Sequence, residues 1–230
     1  STTLYTALDH IRASNVNIIT VEDPVEYHIN GITQIQVNHE TGYTFARALR
    51  HILRHDPDVI MVGEIRDQET AKMAVESALT GHLVLSTLHT NDAASSVTRL
   101  FDIGIEPYLL RSVLNGVLAQ RLMRRNCPHC KEEEVVDMEI RTELGVSAGD
   151  TFWRGRGCEH CHHTGINGRM AVYELLEATP ALQQLMTHNV SAAQIEAQAL
   201  ADGMQPLTQR ALQAAREGLI SLQEVYRIRL

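Results

Sequence analysis

Residues 57–67 read PDVIMVGEIRD, an apolar run that passes directly into two carboxylates and an arginine. Two other runs have the same form, NIITVEDPVEY at 17–27 and HLVLSTLHTND at 82–92. Strands buried on both faces of a parallel sheet read as continuous Val, Ile and Leu, and ligands bind at the carboxyl ends of such strands. The three runs therefore predict a parallel α/β sheet with its polar residues gathered at one edge.

Helical periodicity fills the gaps between these runs. Apolar residues repeat on one face over 44–55 and over 68–80, and residues 1–11 open on hydroxyl side chains before a similar stripe. Strands and helices that alternate at this spacing are typical of βαβ units with right-handed crossovers.

Three further segments have local patterns of their own. Residues 27–37 alternate around Asn30-Gly31, the dipeptide of a type I′ turn, and predict a β-hairpin. Residues 93–125 have a helical pattern that ends in arginines, whose charge suits the carboxyl end of a helix dipole. Residues 170–176 predict one more strand, and the remainder of the chain reads as helical.

Composition narrows the class of partner. The 230-residue chain has a formal net charge of -8 and only 4% aromatic residues, which argues against a nucleic-acid footprint or a base-stacking platform. No run approaches the roughly 20 apolar residues that span a bilayer, so we expect a cytoplasmic protein. The chain begins at Ser1 without a methionine, and we expect a segment before it.

The four cysteines form two knuckles, CPHC at 127–130 and CEHC at 158–161. Two C-x2-C pairs deliver four thiolates to a tetrahedral Zn²⁺, and a closed site of this kind is structural. A redox-active pair or two disulfides are the alternatives, although neither a second matching knuckle nor a cytoplasmic chain favours them. Each nearby histidine could also replace one thiolate: His129, His160, His162 and His163.

Carboxylates and histidines follow the three apolar runs. Glu22 follows the first run and Glu64 the second, as the Mg²⁺ ligands and water-orienting groups of phosphoryl transfer would. The alternative is that such acids cap the next helix or pair with arginines, and Asp67 fits that role best. His82 and His89 bracket the third run, where they could be structural or could sense phosphate.

Together these motifs resemble the bacterial type II secretion and type IV pilus assembly ATPases over essentially the whole chain. TVEDPVEY resembles the Asp box of that family, PDVIMVGEIRD its Walker B box and ALTGHLVLSTLHTNDA its His box. The resemblance implies an α/β fold with a RecA-like P-loop NTPase core and a mainly parallel sheet. It implies the core at 1–125, an inserted tetracysteine zinc subdomain at 126–168, and a returning strand with a helical region at 169–230.

The resemblance also implies roles for single residues. Glu64 and Glu22 would be catalytic, positioning Mg²⁺ and the attacking water, with Glu64 the stronger candidate. Ser1 and Thr2 match the end of the P-loop, and His82 and His89 match residues that approach the nucleotide. Because the P-loop glycines and lysine are absent from these 230 residues, we expect little activity from the chain alone. Arginine fingers in the family come from a preceding domain.

The implied cofactors are ATP, Mg²⁺ and Zn²⁺. The implied protein is a homo-oligomer, a hexameric ring, that works at the inner membrane with a platform protein and powers the assembly of pilin or pseudopilin subunits. Three alternatives stay open. The first is a pilus-retraction ATPase, although that branch of the family typically lacks the tetracysteine element. The others are a DNA-transfer ATPase and a non-enzymatic docking module that carries zinc.

Overall fold

The computed structural model describes residues 2–229 and divides the chain into two compact units. The first unit comprises Ser1–Asn115 with Ala178–Ile195, and the second comprises Gly116–Glu177 with Glu196–Leu230. Within residues 2–229, every helix is too short or too polar to cross a membrane. The predicted ranges 1–125, 126–168 and 169–230 stay a prediction about subdomains, since the contacts define two units.

The first unit is built on a parallel sheet of four strands in the order β2 (Thr33–Gln36), β1 (Ile18–Glu22), β3 (Val59–Val62) and β4 (Leu83–Ser86). Val21 of β1 lies opposite Val62 of β3, which in turn lies opposite Ser86 of β4. The elements of this unit, with helix α8 continuing into the second, are α1 Thr2–Ile11, β1 Ile18–Glu22, β2 Thr33–Gln36, α2 Phe45–Ile52, β3 Val59–Val62, α3 Gln68–Leu79, β4 Leu83–Ser86, α4 Ala93–Asp102, α5 Pro107–Val113, α7 Pro180–Leu185 and α8 Ala192–Ala201.

Burial explains why the apolar runs form the central strands. Every residue of β1 and of β3 is buried, as expected for strands covered on both faces. On one face, Tyr5 and Leu8 of α1 pack against Ile18, Val59 and Met61. The predicted helices over 44–55 and 68–80 are also present, and each begins at a side-chain cap, Thr44 for α2 and Asp67 for α3.

The hairpin predicted around Asn30-Gly31 is wrong. Residues 33–36 form β2, which pairs in parallel with β1 instead of antiparallel with the segment before the turn. The Gln34 side chain provides hydrogen bonds that the strands of a hairpin would otherwise exchange: it accepts the Ile29 N–H (2.7 Å) and donates to the Tyr27 carbonyl (3.1 Å). The turn at Gly31, with φ 81°, therefore reverses the chain without forming a hairpin ladder.

The second unit centres on a long antiparallel pair of strands, β5 (Gly116–Asn126) and β8 (Ile166–Glu177). A shorter pair, β6 with β7, lies near the cysteines, and two helices complete the core. The remaining elements are β5 Gly116–Asn126, β6 Lys131–Glu133, α6 Met138–Glu143, β7 Trp153–Gly155, β8 Ile166–Glu177, α9 Leu207–Arg216 and α10 Leu222–Arg229.

The helix predicted to continue to residue 125 is also wrong at its end. After α5 the chain enters β5, so Arg121, Arg124 and Arg125 lie on a strand and cap no helix. The segment alternates, with Leu118 and Leu122 exposed on one face and Met123 buried on the other, and pairing with β8 selects that alternation. Arg124 instead pairs with the Glu224 carboxylate of α10.

Two buried glutamates fix the last helices of this unit. Glu134 accepts the Leu222 N–H (2.7 Å) at the start of α10, and Glu174 accepts the Leu207 N–H (3.0 Å) at the start of α9. A carboxylate at a helix N-terminus satisfies a free amide and interacts favourably with the helix dipole. The core between them is apolar and includes Met123, Phe152, Val172, Ala211, Leu222 and Val225.

Candidate functional site

The carboxyl ends of β1, β3 and β4 are joined by backbone hydrogen bonds that continue past the strands. The Gly63 N–H donates to the Val21 carbonyl (2.8 Å), and the Ile65 N–H donates to the Thr87 carbonyl (3.0 Å). A Cβ on Gly63 would lie 3.4 Å from the Glu22 Cα, so the Asp-box and Walker B segments are in close contact. The polar residues after the three strands therefore gather at one edge, as the sequence predicted.

Glu64 is the centre of this edge. Its side chain is only 13% exposed, and its Oε2 accepts hydrogen bonds from Arg66 Nε (2.6 Å) and His89 Nε2 (2.9 Å). His89 comes from the segment after β4, so the contact joins the ends of two neighbouring strands. A carboxylate held in this way can orient and deprotonate a water molecule.

Glu22 lies close by but deeper in the protein. It is 4% exposed, and its carboxylate accepts hydrogen bonds from the hydroxyls of Tyr5 and Thr20 (2.5 Å for Thr20) and from Gln34 Nε2 (3.1 Å). Burial raises the pKa of Tyr5, and its hydrogen bond to Glu22 acts in the same direction. The carboxylate thus links α1, β1 and β2.

The sequence prediction did not include the donors around Glu22. Thr20 could have been found, because residues i and i+2 of a strand share a face and Thr20 precedes Glu22 by two. Tyr5 and Gln34 come from other elements, so only the fold brings them to this carboxylate. The helix that carries Tyr5 was predicted, but the hairpin predicted around Gln34 is wrong, and neither contact with Glu22 was predicted.

The structure does not bring His82 to the same edge. His82 precedes β4, whereas His89 follows it, so the two histidines lie at opposite ends of the strand. The His82 ring binds the end of α3 through its Nδ1, which lies 2.8 Å from the Ser77 carbonyl and 3.1 Å from the Thr80 hydroxyl. A nucleotide contact for His82 stays a prediction.

Three other residues were considered for this edge, and the structure describes two of them, Thr2 and Asp67. Thr2 is the exposed first residue of α1, and Ser1 lies outside the described residues. Asp67 accepts the Thr70 N–H (2.8 Å) as the N-cap of α3, so the capping alternative describes its contacts.

The four cysteines converge in the second unit. Their sulfur atoms all lie within 4.8 Å of one another, and three of the separations are 3.9 Å (Cys127 to Cys158), 3.8 Å (Cys130 to Cys161) and 3.7 Å (Cys158 to Cys161). Four thiolates at 2.3 Å from a tetrahedral ion lie about 3.8 Å apart. The donor set and its spacing therefore fit Zn²⁺, with no histidine needed as a ligand.

Backbone amides point at two of these sulfurs. Cys130 accepts the Gly157 N–H, and Cys161 accepts the N–H groups of Cys158 and Gly165, each at 3.2 Å. Burial raises the pKa of Cys130 to about 11. Burial also acts to raise the pKa of Cys161, but the amides of Cys158 and Gly165, together with the Cys158 and Cys130 side chains, outweigh it and lower this pKa to about 6. Amides placed in this way stabilise thiolates, the form that binds metal.

Gly165 joins the two knuckles by its backbone. Its carbonyl accepts the Cys127 N–H (2.8 Å), while its own N–H binds Cys161. It also passes so close to Gly155 that a Cβ on Gly155 would lie 1.9 Å from the Gly165 oxygen. A side chain at Gly155 would therefore disturb the backbone that positions the sulfurs.

Comparison with known proteins identifies the family of the chain. Residues 1–227 match the family described as Type II/IV secretion system protein. The chain belongs to this family. A solved structure titled as the pilus retraction motor PilT with bound ADP matches with a TM-score of 0.72 and 31% identity, and covers 99% of this chain and 57% of that one. The predicted α/β fold with a RecA-like ATPase core is confirmed.

Curated members of the family are more similar in sequence. The type II secretion system ATPase E of Vibrio cholerae is 49% identical over 99% of this chain and 46% of its own length. The type IV pilus assembly ATPase PilB of Thermus thermophilus is 49% identical over 98% of this chain and 26% of its own length. The chain thus spans half or less of these relatives.

Proposed function

We propose that this chain is the catalytic part of an ATPase that powers the assembly of type IV pilus or type II secretion pseudopilus subunits. The observation that carries the proposal is the contact between Glu64 and His89 at the end of two parallel strands, where ligands bind in open α/β sheets. The names of the similar curated proteins support the same activity.

In this proposal Glu64 orients the attacking water and accepts its proton. Glu22 stabilises the site from within the protein, since its buried carboxylate already accepts three side-chain hydrogen bonds. His89 donates a hydrogen bond to Glu64 and lies on the side of the site that would face the nucleotide. Ser1 and Thr2 would contact the nucleotide phosphates and Mg²⁺, an ion that neutralises charge on the transferred phosphoryl group. A nucleotide contact for His82 stays the less supported part of the proposal, because His82 precedes β4 and ligands bind at the other end of such a strand.

The P-loop lysine is the missing element of the proposed site. No G-x-x-x-x-G-K-[ST] sequence occurs in the 230 residues, so these residues do not themselves provide the amide cradle and lysine of a P-loop. Since fixed donors of this kind usually provide the largest catalytic contribution, the chain by itself is expected to be nearly inactive.

We extend the proposal to cofactors, partners and place. The cofactors are ATP and Mg²⁺ at the strand ends and Zn²⁺ at the four cysteines, Cys127, Cys130, Cys158 and Cys161. The protein would form a hexameric ring in the cytoplasm and associate with the inner membrane through a platform protein. With a net charge of -8, nucleic acid is not an expected partner.

A second candidate is pilus retraction, favoured by the similarity to the retraction motor PilT. Identity to that motor is 31%, against 49% to the assembly and secretion ATPases, and the clustered cysteines also favour assembly. Bound zinc in the purified protein would support the assembly class.

The test is Glu64→Gln in the full-length gene product, including whatever precedes residue 1. Turnover should fall by about 100-fold or more, because general-base groups contribute 10²- to 10⁴-fold, while the Kd for ATP changes less than about threefold. Glu69→Gln is the matched control, since Glu69 is an exposed carboxylate that pairs with Arg50 on the neighbouring helix.

Normal turnover in Glu64→Gln would reject Glu64 as the base. A wild-type protein that binds zinc but fails to hydrolyse ATP would instead support the non-enzymatic docking module.

A further inference from the structure

The two oxygens of Glu64 are in different situations. Oε2 accepts both side-chain hydrogen bonds, from Arg66 Nε at 2.6 Å and His89 Nε2 at 2.9 Å. Oε1 accepts no hydrogen bond from any residue between 2 and 229. One oxygen is therefore fixed by two donors, one from the segment after β3 and one from the segment after β4, and the other is left for a ligand of the site.

The backbone of Arg66 is held on both sides. Ile65 before it is buried and donates its N–H to the Thr87 carbonyl, and Asp67 after it caps α3. The Thr87 hydroxyl also donates to the Gly63 carbonyl (2.7 Å), so the segments after β3 and β4 are bound together at several points. The Arg66 backbone is therefore fixed in place, although the Arg66 side chain is 69% exposed.

A rigid carboxylate matters for a general base. The oxygen that takes the proton must lie within about 3 Å of the water, and a displacement of about 1 Å can reduce the rate roughly 100-fold. Free rotation about the terminal carboxylate bond would exchange the two oxygens. Two donors on one oxygen suppress that exchange, and a hydrogen bond between charged groups is the stronger kind.

We infer that Arg66 is a positioning residue, which holds Glu64 through Oε2 so that Oε1 is the oxygen presented to the attacking water. This inference rests on the proposed ATPase function and adds a residue to it. Arg66 does not contact the reacting atoms and acts through Glu64 alone. Its loss should therefore lower kcat with little effect on nucleotide binding.

The experiment compares Arg66→Ala and Arg66→Lys in the full-length protein. Arg66→Ala should lower kcat by about 10- to 100-fold, with KM for ATP within about threefold of the wild-type value. Arg66→Lys, which keeps a cationic donor on a long side chain, should recover part of the loss. Arg50→Ala is the matched control, because Arg50 is similarly exposed and pairs with Glu69 instead of Glu64.

A double-mutant cycle separates positioning from other roles. In a Glu64→Gln background, Arg66→Ala should cause little further loss of single-turnover rate, because the group it positions is already changed. An equal loss in both backgrounds would overturn the inference, as would an unchanged kcat or a large rise in KM with kcat retained. A wild-type protein without ATPase activity would reject the proposed function itself, a distinguishable result.

Discussion

Tyr5 and Glu22 form a buried polar pair between α1 and the end of β1. Tyr5 is 2% exposed and donates its hydroxyl to the carboxylate, and the Glu26 N–H donates to the same hydroxyl at 3.2 Å. Tyr5→Phe keeps the ring but removes the donor, leaving one carboxylate oxygen without that partner. We expect the free energy of unfolding to fall by about 2 kcal/mol, since hydrogen bonds to charged groups contribute roughly 1.5–3 kcal/mol. Urea denaturation measures this change.

Tyr27 provides the control for that substitution. Its ring packs edge-on against Tyr5 with centroids 4.6 Å apart, but the side chain is 54% exposed. In the described part of the chain its hydroxyl has no hydrogen-bond partner, so Tyr27→Phe should change stability by less than about 0.5 kcal/mol. Equal effects of the two substitutions would show that the buried Tyr5 hydroxyl contributes no more stability than the exposed Tyr27 hydroxyl.

At the scale of elements, the sequence predicts the strands and helices that have one unbroken pattern of apolar residues. It does not predict those whose form depends on pairing with a distant segment. The mostly apolar segments around Val21 and Val62 predict buried strands, and every residue of both strands is buried. Residues 116–126 fit both a helical stripe and an alternation, so pairing with β8 decided between them. Gln34 shows the same limit, because no local rule predicts that one side chain will replace the ladder of a hairpin.

Helix α10 depends on a carboxylate from a distant part of the chain. Burial raises the pKa of Glu134, although the amides of Leu222 and Gln223 and the charges of Arg154 and Arg141 oppose the shift. The folded state therefore binds this proton more tightly than the unfolded state. The associated stability is complete below the ordinary carboxyl pKa of 4.5 and is lost as the pH rises through the raised value.

Glu134→Gln removes this pH dependence. The difference in unfolding free energy between wild type and variant should change across the window that starts near pH 4.5 and should be flat on either side. Denaturation curves measured from pH 4 upward, at about half-unit steps, test this sign. Glu133→Gln, at the exposed neighbouring carboxylate, should follow the wild-type curve throughout. A constant difference for Glu134→Gln at all pH values would contradict the prediction.

Across the whole molecule, the two candidate centres could be predicted to different extents. The cysteine cluster follows almost entirely from sequence, since two C-x2-C knuckles have few other uses once both occur together. At the strand ends, the motifs identified Glu64 and His89, but the contacts of Arg66 and Tyr5 required coordinates. The reason is physical: a knuckle is local in sequence, whereas the polar edge is formed by residues that follow three different strands and contact a helix.

Loss of zinc from the four cysteines is expected to destabilise the second unit, which contains them, more than the first. Cys158→Ser removes one of four thiolates, and we expect about one bound zinc per chain to be lost, as measured by elemental analysis. Since metal-binding free energy contributes to folding in small metal sites, hydrogen exchange should rise across residues 127–165. The buried strands β1 and β3 should keep their protection, because their hydrogen bonds lie in the other unit.

His160→Ala is the control for the zinc prediction. His160 lies in the same knuckle and stacks on His129 with ring centroids 4.2 Å apart, but the four sulfurs complete a tetrahedral set without it. The variant should keep its zinc and its exchange pattern. Zinc loss in His160→Ala would indicate that the His160 imidazole is a zinc ligand in the wild-type protein. An exchange increase spread equally over both units of Cys158→Ser would mean that the metal stabilises the whole chain and not the second unit alone.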